Sequence, residues 1–143
     1  MKIYIAGPMR GHEDNNIPAF DKAAEMLRDK GHEVFNPADA DRHAGLDVTE
    51  PFTEEWWAEH KYEVVTRDIH MLLECDTIYM LRGWEKSRGA TAEHAVANWY
   101  GLKVWYQEGT KLYPNENEDL EWMARRWLEQ FNKETEELDN APH

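Results

Sequence analysis

One cysteine, Cys75, stands in a chain of 143 residues. A lone thiol excludes an internal disulfide and is compatible with a reducing compartment, and its apolar neighbours point to core packing. Positive charge is scarce too: 16 Lys and Arg face 29 Asp and Glu, for a formal net charge of −13. That balance argues against an electrostatic grip on a nucleic-acid polymer but leaves a single nucleotide in a local pocket open. No apolar run approaches about 18 residues, so no membrane span is expected. The opening Met-Lys-Ile-Tyr-Ile-Ala-Gly-Pro is too soon broken for a signal peptide, and a cytoplasmic location is the expectation. The 7 histidines lack the His-Glu-x-x-His spacing, and with one cysteine there is little soft-ligand material; neither a metal nor another cofactor is expected. Absent as well are the Gly-x-Gly-x-x-Gly fingerprint, a Gly-Lys-Ser/Thr phosphate loop and a Gly-x-Ser-x-Gly elbow.

What is present is a 41% hydrophobic chain, long enough for one domain with its own core over residues 1–143. Residues 2–6 read as a short buried strand ended by Gly7-Pro8, followed by a polar loop and a helix from Ala19 to Lys30. A second strand at 33–35 stops at Asn36-Pro37, and Asp39 to Asp47 reads as a loop. Glu54 to Leu73 is a long helix, 76–81 a strand, Ala90 to Tyr100 a helix ending at Gly101, and 102–106 a strand. A C-terminal amphipathic helix at about 117–138 carries Leu120, Met123, Trp127, Leu128 and Phe131. Strands alternating with helices, the strands nearly all apolar, predict an α/β sandwich of Rossmann-like or flavodoxin-like type. It would have a parallel sheet of four to five strands and helices on both faces. In such sheets ligands sit beyond the carboxyl ends of the strands, which would set Gly7–Gly11 beside Gly83–Glu93.

The stretch Ser87-Arg-Gly-Ala-Thr-Ala-Glu93, after a strand and opening a helix, puts a hydroxyl, backbone donors and a carboxylate together. The unpaired N–H groups of a helix start suit a phosphate. The plainer reading is an ordinary helix start, with Ser87 or Thr91 as cap and Glu93 complementing the dipole. The Gly7-Pro8-Met9-Arg10-Gly11 loop offers close backbone approach and a guanidinium able to hold a phosphate in bidentate fashion, or is a tight turn. Tyr4 either packs in the core or presents its hydroxyl to a carboxylate or sugar. Asp76, entering a buried strand, either caps backbone donors or, near Glu93, binds a sugar or assists proton delivery. Asp68 beside Arg67 reads as an ion pair or a solvated position, and Trp56, Trp57 and Tyr62 as helix packing or as surfaces for a base.

Taken together, the opening Ile-Tyr-Ile-Ala-Gly-Pro-Met-Arg-Gly, the Cys-Asp-Thr-Ile strand and Ser-Arg-Gly-Ala-Thr-Ala-Glu-His-Ala resemble the nucleoside 2-deoxyribosyltransferase superfamily over roughly residues 2–106. Within it the chain looks most similar to small nucleotide N-glycosidases: the 2'-deoxynucleoside 5'-phosphate N-hydrolases and the CMP or hydroxymethyl-CMP hydrolases. The resemblance implies that Glu93 is the nucleophile at the anomeric carbon, Asp76 the assisting carboxylate, and Tyr4 the hydroxyl positioning Glu93 or the sugar. It further implies that Gly7, Arg10, Gly11, Ser87 and Gly89 bind a 5'-phosphate. Transferases of the superfamily tend to carry an acidic group six positions before the glutamate, where this chain has Ser87, so a nucleotide is the implied substrate. Base exchange between nucleosides, or nucleotide binding without turnover, are the alternatives. Pro8-Met9 departs from the usual phosphate loop, and residues 41–61 match no familiar segment. A homo-oligomer, dimer or higher, is expected, with residues 107–117 the place to seek a neighbouring subunit's contribution.

Overall fold

The computed structural model describes residues 1–48 and 50–107. The expected C-terminal helix and the 109–114 loop lie outside the described residues. Along the chain run β1 (Lys2–Ala6), α1 (Ile17–Asp29), β2 (Glu33–Phe35), α2 (Pro37–His43), α3 (Glu54–Glu74), β3 (Thr77–Met80), α4 (Arg88–Tyr100) and β4 (Lys103–Tyr106). The strands form one parallel sheet in the order β2-β1-β3-β4, with Tyr4 opposite Phe35 on one side and Ile78 on the other. The strand order turns around between β1 and β3. Such a switch point opens a crevice at the carboxyl ends of its two strands.

Alternation along the strands divides the core into two layers. Ile3, Ile5, Tyr79, Leu81 and Trp105 face α1, whose Ile17, Phe20, Ala23, Ala24 and Leu27 recur at helical spacing and are all buried. The other face carries Tyr4, Ile78, Met80 and Val104, each wholly buried, against α3 and α4. Helices thus cover both sides of the sheet, as the apolar strands require. Cys75 is a buried free thiol, pushed up to about 11 chiefly by burial, in keeping with a packing role.

One expected loop begins as a helix. The Asn36 side chain accepts the Ala38 N–H at 3.0 Å, Pro37 occupies the first turn where its missing N–H costs nothing, and α2 runs to His43 before Gly45 turns the chain at φ +79°. Its polar composition hid it: the helix is only 7 residues long, and caps rather than an apolar stripe define it. Among the described residues, no helix is long and apolar enough to cross a membrane.

Candidate active site

Glu93 reaches the sheet because of its place on α4. Ala90 and Ala97 are fully buried, and Glu93 lies between them at helical spacing, so a carboxylate occupies the inward stripe of a helix. It lies beyond the first turn, which leaves dipole complementation with little to explain. The fully buried Tyr4 donates its Oη–H to Glu93 Oε2, and its ring is stacked on Phe35 at 5.4 Å between centroids. Glu93 keeps some solvent-facing surface while protein surrounds the rest. Burial is the main force pushing its carboxyl up to about 8; the Tyr4 hydrogen bond pulls the other way and the Asp68 charge pushes with it. Tyr4 is held well above the usual tyrosine range by burial and then by the Glu93 charge, so its phenol keeps its proton.

The second carboxylate of the site is Asp68. It sits at helical spacing between Val64 and the wholly buried Leu72 on α3, again a charged residue on an inward stripe. Its side chain is 18% exposed, and burial pushes its carboxyl up to about 6 against the lowering influence of Arg67. Its charge acts on both Glu93 and Tyr4. Arg67 does pair with Asp68, as its position next in sequence suggests, donating to Oδ1 at 2.9 Å. The coupling across to α4 is what the neighbour-by-neighbour reading missed. A carboxylate interrupting the Val64, Leu72 stripe was the available signal.

Asp76 does not join this group. It stands exposed at the amino end of β3, where both its carboxylate oxygens accept the Lys2 N–H at 3.1 Å and Oδ1 also accepts the Thr77 hydroxyl at 3.1 Å. Of the two readings of this residue, the structure realises the one in which it caps backbone donors, since a strand-opening position faces the sheet edge remote from the crevice.

The expected phosphate-binding residues fall on two segments, Gly7, Arg10 and Gly11 after β1 and Ser87 and Gly89 at the start of α4. The loops after β1 and β3 do lie side by side: Leu81 N–H donates to the Ala6 carbonyl at 2.8 Å, and Pro8 packs 3.5 Å from where a Cβ on Gly83 would stand. Gly7 is buried, and a Cβ there would lie 2.7 Å from Leu81 Cβ, so packing alone demands glycine. Arg10 is exposed, its guanidinium 5.4 Å over the Trp57 ring, an arrangement that leaves its edge N–H groups available. Gly11 turns the chain at φ +81°. Ser87 caps α4, its Oγ accepting the Ala90 N–H at 3.2 Å, which still leaves the hydroxyl proton to donate. Gly89 is exposed in the first turn of α4 with nothing within 4 Å of a Cβ. A cleft of about 310 Å³ opens between Arg10, Gly11 and Phe52. Trp56 is stacked between Phe52 and His60, both at 4.5 Å, while Tyr62 is 80% exposed. Among the described residues, no group of three or more His, Cys, Asp and Glu side chains is placed to hold a metal ion.

The fold and this site define a parallel α/β protein of flavodoxin-like strand order with a phenol-held glutamate and a second carboxylate above the sheet at its switch point. The family model described as Domain of unknown function (DUF4406) matches residues 1–106. A solved structure of the 2-deoxyribosyltransferase from the psychrotolerant bacterium Bacillus psychrosaccharolyticus is 26% identical, with a TM-score of 0.53, covering 74% of this chain and 71% of that one. No curated protein matches the chain in sequence. The chain belongs to the DUF4406 family, within the nucleoside 2-deoxyribosyltransferase superfamily.

Proposed function

We propose that the protein is an N-glycosidase that cleaves the C1'–N bond of a ribo- or deoxyribonucleoside 5'-monophosphate, releasing free base and sugar 5-phosphate. The observation that carries this reading is the Tyr4–Glu93 hydrogen bond beside Asp68. With one carboxyl at about 6 and the other at about 8, the pair holds a single proton at neutral pH. That is the stoichiometry the displacement needs. One carboxylate forms the C1'–O bond, and one proton goes to the nitrogen that leaves with the bonding electron pair. In the free protein that proton rests on Glu93, the more basic of the two; on substrate binding it passes to Asp68, and the ionised Glu93, held through Oε2 by the Tyr4 hydroxyl, attacks through Oε1 as the nucleophile. Asp68, in place of Asp76, is the partner that handles the proton. Water then attacks C1' of the glycosyl ester, gives its proton to the site, and frees Glu93.

Ser87, Arg10 and the backbone N–H groups of Gly89, Gly7 and Gly11 form the phosphate side of the crevice in this reading. A hydroxyl at position 87, rather than a carboxylate, favours a phosphorylated substrate there. The test is a panel of nucleoside monophosphates monitored for free base by chromatography. Release by wild type and its loss in Glu93→Ala is expected; no release from any substrate, or equal release by the variant, refutes the reading.

Likeness to a 2-deoxyribosyltransferase favours a second reading, base exchange between nucleosides by the same ester. Transfer to an added base faster than hydrolysis would establish it. We further propose that the protein acts as a homo-oligomer in the cytoplasm; exposed Tyr62 and Val65 on α3 and Trp99 on α4, the last 91% exposed, support self-association.

A further inference from the structure

Arg67 bridges two carboxylates from different helices. Its Nη2 donates to Asp41 Oδ1 of α2 at 2.7 Å, and Nε and Nη2 both lie 2.9 Å from Asp68 Oδ1. Asp41 is itself only 4% exposed, unusual for a carboxylate on a 7-residue helix, and Arg67 is the group that compensates it. Both contacts of the fork to Asp68 are to Oδ1, so Oδ2 is not taken up by this pair. A planar fork gripped at one end by a buried carboxylate can turn its other edge in only one direction.

We propose that Arg67, clamped by Asp41, is a positioning residue that aims Asp68 Oδ2 at the Tyr4–Glu93 pair. This rests on the nucleotide N-glycosidase reading above. α2 then has a task in the site although it touches no substrate. The same clamp accounts for part of the 41–61 region that resembles no familiar segment. The charged groups acting on Asp68 are Arg67 on its own helix and Asp41 on α2; Asp68 in turn acts on Glu93 of α4 and Tyr4 of β1, and Arg42 faces Asp41. Arg67 lowers the proton affinity of Asp68, and removing it therefore raises that affinity.

The experiment compares wild type, Arg67→Met, Arg67→Lys and Asp41→Asn by two readouts: the pH profile of base release and the ¹³C titration of the Asp68 carboxyl. In Arg67→Met the acid limb and the Asp68 midpoint should both move up by about one pH unit. Arg67→Lys should hold the midpoint near wild type, because the charge remains, while kcat falls about tenfold for want of the fork. Asp41→Asn removes a charge that raises the Asp68 affinity, so its midpoint and acid limb should move down, while release of the fork lowers kcat about tenfold; it serves if Arg67→Met does not fold. An acid limb and midpoint unmoved in Asp41→Asn and in whichever Arg67 variants fold, with kcat lowered equally at every pH, would overturn the proposal. If wild type releases no base at any pH, the glycosidase reading has failed, and the carboxyl titration alone decides whether Arg67 governs Asp68.

Discussion

Tyr4 and Glu93, 89 residues apart in sequence, meet through a phenol-to-carboxylate hydrogen bond between the first strand and the last described helix. The phenol is neutral and fixed by its stacking on Phe35, so it serves as a rigid donor that favours the ionised form of Glu93.

Tyr4→Phe should therefore raise the proton affinity of Glu93 further. If activity needs one proton on the carboxyl pair, the wild-type profile is a bell with limbs near 6 and 8. The basic limb marks loss of the last proton on the pair, and its position follows the affinity of Glu93, so the variant moves it to higher pH, and kcat drops about a hundredfold as the attacking oxygen loses its orientation. Steady-state base release from pH 5 to 10 checks both effects.

The same carboxyl leaves a mark on stability. Its value in the folded protein, about 8, lies above the ordinary 4.5, so between those limits the native state holds a proton that the unfolded chain releases. Wild-type stability should fall as pH rises through that window and level off above it. Glu93→Gln removes this loss and should be more stable than wild type by about 2 kcal/mol at pH 8.5, with the difference shrinking toward pH 5. Urea unfolding at the two pH values measures it.

Asp76→Ala is expected to cost about 1 kcal/mol, through the lost acceptor for Lys2 N–H and the Thr77 hydroxyl, and to leave kcat within a factor of two. A thousandfold loss of activity in a folded variant would restore Asp76 to the catalytic group.

Gly7→Ala places a methyl 2.7 Å from Leu81 Cβ, an atom fixed to the backbone and unable to swing away. Destabilisation by about 1–3 kcal/mol should follow, visible as a lowered Tm.

Trp99→Ser combined with Tyr62→Ser should reduce the mass seen by light scattering at micromolar concentration if these exposed aromatics join two copies. A monomeric wild type would end the oligomer proposal.

Much of the fold was legible because burial writes itself locally. Ile3, Ile5, Ile78 and Val104 sit in short apolar runs cut by Gly and Pro, and α1 shows its stripe at helical spacing. α2 escaped because a capped helix of 7 residues leaves no periodic signal. Ser87 was legible as a cap, and the structure makes it one.

For the site, the amino-acid order offered Glu93 and Tyr4 as candidates, with their roles implied by the resemblance, and the strand pattern set the loops after β1 and β3 side by side at one end of a parallel sheet. It favoured Asp76 as the assisting carboxylate and read Asp68 as an ion pair or a solvated position. Both are acidic residues near a strand, and each finds a local partner, Arg67 for one and the Lys2 amide for the other. Only the tertiary structure shows which of the two charges acts on Glu93. Helical rotation turns Asp68 inward, where its charge reaches Glu93, while the first position before a strand leaves Asp76 exposed, and the proton affinity of a carboxylate depends on which neighbours the fold brings to it.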